Sequence, residues 1–135
     1  MLTMTNAPKI TDVLGNPLIC HLVNLELERD DFVIFGSAPL LAHGLRQRVS
    51  DLDVVARDAA WRRASELGSP AVYLAHGRIQ IFSEWISKAW NTDELIDCAE
   101  VIQGLRFARL ADVLAYKQVL LRPKDMADIH VLPSY

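Results

Sequence analysis

Two hydrophobic rhythms take turns along this chain: short unbroken apolar runs, and apolar residues recurring every three or four positions. Residues 1–9 are polar and mixed, and read as a loosely held leader. Asn16-Pro17 supplies an N-cap followed by proline at the first helical position, which predicts a helix over about 17–29. Phe32-Val33-Ile34-Phe35 is continuously apolar and closed by Gly36, as a strand buried on both faces should be. Ala38, Leu41, Ala42 and Leu45 then return to helical spacing. From Asp51 to Ala56 the residues alternate, so that Asp51, Asp53 and Val55 share one face and Leu52, Val54 and Ala56 the other.

Asp58 is placed to cap a helix ending near Gly68, and strands over about 71–75 and 78–82 flank His76-Gly77 as a tight hairpin. Thr92 or Asp93 starts a further helix. Val101 to Phe107, broken by Gly104, reads as a short strand or bent extended segment, and helices follow over about 109–122 and 123–132, separated by Pro123. The pattern is α/β (α+β): a small mixed sheet flanked by helices, with a helical C-terminal segment.

With 135 residues, about half of them apolar, the chain has enough material for one core and too little for two ordinary domains, so residues 1–135 are read as a single domain. A net charge of −3 with no long one-signed stretch gives no bulk attraction for nucleic acid or anionic lipid, so any phosphate must be met locally. Cys20 and Cys98 are far apart and sit inside apolar patterns, which predicts buried free thiols rather than a disulfide or thiolate metal site. The first residues lack the basic start and apolar core of a secretory leader, and no window approaches a membrane span. A cytoplasmic location without a membrane partner is the expectation.

The chemistry-bearing order is strand, Gly36-Ser37, helix, then a strand opening Asp51-Leu52-Asp53. Gly36 permits a sharp turn and leaves room for a phosphate, Ser37 offers a hydroxyl and an N-cap, and a helix start attracts anions. Asp51 and Asp53 point the same way from one strand, roughly 6 to 7 Å apart given the strand rise. Such a pair suits Mg²⁺, which takes one or two carboxylates and completes its shell with substrate phosphates. The plainer alternative is a turn followed by two solvated acids.

Near the end, Lys117 falls inside the apolar stripe of Leu110, Val113, Leu114, Leu120 and Leu121. Either its stem packs while its ammonium reaches water or meets Asp125 or Asp128, or it faces a cleft and binds triphosphate or an acidic partner. Asp125 and Asp128 share one helical face. They read either as a first acidic turn with a Lys124 to Asp128 pair, or as part of a site. Arg46 and Arg48 precede Asp51 and are placed to reach phosphates. His43, His76 and His130 have no ligand spacing, and Trp61, Trp85 and Trp90 are left as core or surface.

The segment FGSAPLLAHGLRQRVSDLDVVA resembles the nucleotidyltransferase superfamily, the DNA polymerase beta-like group, whose members carry Gly-Ser, a spacer and Asp-x-Asp. The segment LADVLAYKQVLLRPKDMADIHVL is similar to the closing part of the nucleotidyltransferase toxins of abortive-infection systems, matching at Lys117, Arg122, Lys124, Asp125 and Asp128. The resemblance implies a nucleotidyltransferase fold. It implies a metal and catalytic pair Asp51 and Asp53, catalytic roles for Lys117, Asp125 and Asp128, and nucleotide contacts from Gly36 and Ser37. It further implies Mg²⁺, a nucleoside triphosphate as substrate and a hydroxyl acceptor that is a tRNA, a protein or a small molecule, within a toxin-antitoxin or defence setting. Without the long C-terminal lobe of many relatives, a small acceptor, a partner subunit or a homodimer is expected. The chain departs from polymerase-type members at Gln80, where a third carboxylate is usual, and glutamine cannot take the acceptor's proton. Glu84, past the strand, is a weaker substitute. The alternative expectation is therefore a catalytically reduced relative that binds nucleotide or a protein.

Overall fold

Why the run at Phe32–Phe35 has no polar face becomes clear from its position inside a sheet covered on both sides. The computed structural model describes residues 12–68, 72–84 and 90–132; the expected leader and Trp85 lie outside them. In chain order the elements are α1 (Pro17–Asn24), β1 (Phe32–Phe35), α2 (Ala38–Ala42), β2 (Leu52–Ala56), α3 (Asp58–Ser65), β3 (Val72–Leu74) and β4 (Ile79–Phe82). They continue with α4 (Thr92–Asp97), β5 (Glu100–Ile102), β6 (Leu105–Phe107), α5 (Leu110–Leu120) and α6 (Pro123–Val131). The protein is mixed α/β, with one six-stranded sheet ordered β3-β4-β2-β1-β6-β5.

β1 and β2 are antiparallel, and parallel partners flank them: β4 beside β2, and β6 beside β1. Phe32, Ile34, Leu52 and Val54 belong to the core cluster that includes Ile19 and Leu22 of α1 and Ala60 and Ala64 of α3. Val33, Phe35 and Val55 belong to the cluster on the other face, with Leu95 and Ile96 of α4 and Val113, Leu114 and Tyr116 of α5. The alternation of β2 therefore sends Asp53 to the face covered by α5. Register then sets it opposite Phe35 on one side and Gln80 on the other.

Several expected boundaries move. α1 stops at Asn24 rather than near 29, because Glu26 adopts φ 56° and turns the chain so that Leu27 is buried. α2 closes at Ala42 and leaves Leu45 at the surface, with the Leu45 N–H returning to the Leu40 carbonyl at 2.8 Å. Asp58 does not cap α3. It lies in the first turn, and Arg57 holds the cap position without a side-chain bond. The segment around Gly104 resolves into a hairpin, β5 to β6, with Gln103 and Gly104 both at positive φ. Cys20 and Cys98 are exposed rather than buried: Cys20 follows Ile19 round to the outer face of α1, and Cys98 caps the end of α4. Among the described residues, no helix is long and apolar enough to cross a membrane.

Candidate functional site

At the C-terminal end of β1 the chain makes a turn that only glycine allows without strain. Gly36 has φ +69°, and a Cβ there would lie 3.0 Å from Asp53 Oδ2. The missing side chain thus makes room for the Asp53 carboxylate as well as for the turn. Asp51 stands one residue before β2, exposed, and Asp53 is half-buried inside it. Both line the same two cavities.

Ser37 occupies the N-cap position of α2 but does not cap it. Its Oγ instead donates to Asp128 Oδ2 at 2.7 Å, a charge-assisted bond that an orphan N–H of a five-residue helix does not match. This corrects the expected capping role and carries the hydroxyl across 91 positions of sequence to α6.

Lys117 joins the two halves. Its side chain is 3 % exposed, so it does not reach water. Nζ lies 3.0 Å from Asp128 Oδ2, 3.4 Å from Asp125 Oδ1 and 3.2 Å from Ser37 Oγ. Arg46 Nη1 donates to both oxygens of Asp128, at 2.9 and 2.8 Å. The expected Lys124 to Asp128 pair does not form, since Lys117 and Arg46 take that carboxylate. Asp125 accepts from the Arg122 backbone N–H at 3.1 Å and from its guanidinium Nε at 2.7 Å, so it fixes the first turn of α6 and the arginine together. Arg122 Nη2 continues to the Tyr116 hydroxyl at 3.1 Å. Arg48 differs from the expectation: its carbonyl accepts from Arg46 Nε at 2.8 Å, while its side chain is exposed and lines neither cavity.

The cavities meet along a shared edge of Asp51, Asp53, Arg122 and Lys124. The smaller, about 150 Å³, is polar and includes Gly36, Ser37, Arg46, Ser50, Lys117 and Asp125. The larger, about 360 Å³, runs along the sheet face under α5, walled by Gln80, Phe82, Glu84, Tyr116 and Leu120. Gln80 faces this chamber as its strand parity requires. Its Nε2 donates to the Gly77 carbonyl at 3.3 Å, which leaves the amide oxygen as the group it offers. Tyr116, Phe82 and Leu120 were not legible as site residues, because an aromatic or leucine in an apolar pattern reads as core. Arg122 and Lys124 carried a signal in their adjacency to Asp125.

Asp53 and the pair Asp125 and Asp128 are in opposite electrostatic states. Burial and then the neighbouring Asp51 charge raise the Asp53 carboxyl above the usual range, against the pull of Lys124, Arg122 and Lys117. Burial also pushes Asp125 and Asp128 upward, but bonds from Arg122 and Lys117 to the first, and from Ser37, Lys117 and Arg46 to the second, leave both below the usual value. Burial raises the Tyr116 phenol, with the Asp53 charge adding to it. Asp51 and Asp53 form a repelling pair of oxygen donors beside open space, with the Gln80 amide in register. That donor set fits a hard divalent cation whose other ligands come from phosphate and water.

No protein-family model, curated protein or solved structure matches the chain.

Proposed function

We propose that the chain has a nucleotidyltransferase fold and moves a nucleoside monophosphate from a triphosphate to a hydroxyl group, with Mg²⁺ held by Asp51 and Asp53. One observation carries this reading: residues more than sixty positions apart, Gly36, Ser37, Asp51 and Asp53 on one side and Lys117, Arg122, Lys124 and Asp125 on the other, line one cleft. The resemblance in the sequence named both segments, and their meeting at one place supports it.

The small polar cavity takes the phosphates. Arg46, Lys117, Arg122 and Lys124 neutralise their charge, and the Gly36 turn lets the backbone approach. Bound Mg²⁺ would lower the cost of charge building on the phosphates. Asp125 acts by holding Arg122 and Lys117 in place, and Asp128 by holding Lys117, Arg46 and Ser37. With pyrophosphate leaving toward the small cavity, an in-line displacement brings the acceptor from the opposite side, through the chamber under α5. The acceptor is a hydroxyl of a tRNA, a protein or a small molecule. A toxin-antitoxin or defence role in the cytoplasm belongs to the same reading, as does a homodimer or partner subunit that completes the acceptor side.

Gln80 favours a second reading, a catalytically reduced relative that binds nucleotide or a protein partner, because it removes the carboxylate nearest Asp53 on β4. Two measurements separate them. Melting temperature is followed with ATP, GTP, CTP and UTP, each with and without Mg²⁺, and labelled triphosphates are incubated with tRNA and cell lysate. A transferase shows an Mg²⁺-dependent shift and a labelled acceptor, and Asp53→Ala stays folded by circular dichroism while losing both. A shift without any labelled acceptor selects the second reading. A folded Asp53→Ala protein with wild-type shift and transfer sinks both assignments of Asp53.

A further inference from the structure

The Asp128 carboxylate is surrounded by the donors a phosphate would use. Ser37 Oγ lies 2.7 Å from Oδ2, Lys117 Nζ lies 3.0 Å from it, and Arg46 Nη1 reaches both oxygens. A hydroxyl and two cations at a glycine turn make an anion site, and here an internal anion fills it. Ser37, Arg46 and Lys117 also face the 150 Å³ cavity assigned to the phosphates, which Asp128 itself does not line. The same donors therefore serve two anions, one permanent and one arriving.

The two cations are not equally free to change partner. Lys117 is 3 % exposed and is held by Asp125 as well as Asp128, so it stays. Arg46 is 37 % exposed and sits on the loop between α2 and β2. Its Nε is tied to the Arg48 carbonyl, and among the described residues its one carboxylate partner is Asp128. An anion that takes Arg46 gains one ion pair and breaks another, so the net gain is small. A bare polyphosphate also meets Asp51, Asp53 and Asp125 in the same cavity.

We infer that Asp128 determines which anions the phosphate site accepts: it retains Arg46 and the Ser37 hydroxyl against free polyphosphate, and yields them only to a triphosphate that also engages Asp51 and Asp53 through a cation. The inference rests on the phosphate reading given above and adds a selectivity to it. Its consequence for turnover is that Asp128 recaptures Arg46 as pyrophosphate departs, so the product is held poorly.

The test is calorimetric titration of the full chain and of Asp128→Asn with inorganic tripolyphosphate and pyrophosphate, in Mg²⁺ and in chelator. Asparagine keeps the shape, and Lys117 keeps Asp125. Wild type should bind tripolyphosphate weakly without Mg²⁺ and tightly with it, whereas Asp128→Asn should bind metal-free tripolyphosphate and pyrophosphate at least about tenfold more tightly than wild type does. A folded Asp128→Asn protein with unchanged or weaker metal-free binding overturns the inference. Arg46→Gln, at a partly exposed position, serves if that variant does not fold. It should lower Mg²⁺-tripolyphosphate affinity about tenfold, and unchanged affinity overturns the role of Arg46 as the exchanging arm. If wild type binds neither Mg²⁺-tripolyphosphate nor any Mg²⁺-triphosphate, the phosphate reading itself falls and takes this one with it. If wild type binds them and Asp128→Asn gains nothing, only the role of Asp128 is lost.

Discussion

The two ends of the β1–β2 pair are both rich in charge, and they use it differently. At the Phe32–Ala56 end, Arg57 meets Asp97 at 2.6 Å, Asp93 at 3.0 Å and Asp31 at 3.5 Å, and Asp93 and Asp97 are mostly in solvent. At the Phe35–Asp53 end, Lys117, Asp125 and Asp128 are almost wholly buried, and Asp53 stands beside them with its carboxyl raised. The pairs with Asp93 and Asp97 keep one partner in solvent, tie α4 to the sheet and cost little to form, while the less exposed pair with Asp31 ties in the turn before β1. At the second end Lys117, Asp125 and Asp128 are buried but paired, whereas Asp53, raised by burial and by Asp51, is in no ion pair among the described residues, which is a cost to the fold that a bound cation would offset. A dense set of ion pairs thus marks scaffolding at one pole and a candidate site at the other. Burial, and the half-buried acid left without a cation, make the difference.

The strongest way to break the comparison is Lys117→Met, which leaves Asp125 and Asp128 buried with less counter-charge. Urea denaturation should show a loss of about 3 to 5 kcal/mol, the range for breaking a buried pair by removing one partner. A loss below about 1 kcal/mol would mean that the two poles are energetically alike.

Gly36→Ala comes next. Positive φ costs a residue with a side chain about 1 to 2 kcal/mol, and the added Cβ presses on Asp53 Oδ2. Mg²⁺-dependent nucleotide shifts should disappear while circular dichroism stays native. Retention of both stability and the nucleotide shift would refute the close approach.

A pH series sharpens the contrast within the site. Asp125 and Asp128 are lowered in the folded state, so their stabilisation is present above the ordinary carboxylate pKa and is lost as pH falls through their folded values. Asp53 is raised, so its charge opposes folding at neutral pH, and that penalty fades as it protonates on acidification. Mg²⁺-nucleotide binding should therefore fail at a higher pH than the fold does, read by melting temperature with and without ligand across the acid range. Coincident midpoints would contradict the assignment of Asp53 as metal ligand.

Smallest of all should be Arg57→Ala. The Arg57 side chain is only 17 % exposed, but Asp93 and Asp97 stand in solvent, so the loss should be about 1 kcal/mol, less in salt and well below that of Lys117→Met, and nucleotide binding should not change. A loss of nucleotide shift in this variant would place the Arg57 pole in the function.

How much of this was legible follows from where the information sits. The strands β1, β2 and β4 were readable, because a buried run and a period of two are local properties. The parity that aims Asp53 and Gln80 into the cleft came with them. The excess length given to α1 and α2 arose because a helical stripe continues past residues that leave the helix, at Glu26 and after Ala42. The acids that Lys117 meets, Asp125 and Asp128, were among its readings from the sequence, but the partners of Ser37 and Arg46 were not readable from spacing. They depend on the angle between α5 and α6, set where Leu121 adopts a left-handed φ of 45°. Lys117 was conspicuous because a lysine within an apolar stripe is a local conflict. Tyr116, next to it, conflicts with nothing in its pattern and gives no such signal.

The place of β6 in the sheet has a bearing on synthesis. β1 is flanked by β2, made shortly after it, and by β6, made about seventy residues later, and Lys117, Arg122 and Lys124 follow in α5, the turn after it and α6. At about 5 to 20 residues per second on the ribosome, Asp51 and Asp53 emerge several seconds before Lys117. During that interval the nascent chain carries the acidic half of the cleft with an unfinished sheet and none of the α5 and α6 groups that line it. Any activity that needs the α5 and α6 groups is withheld until those helices are made.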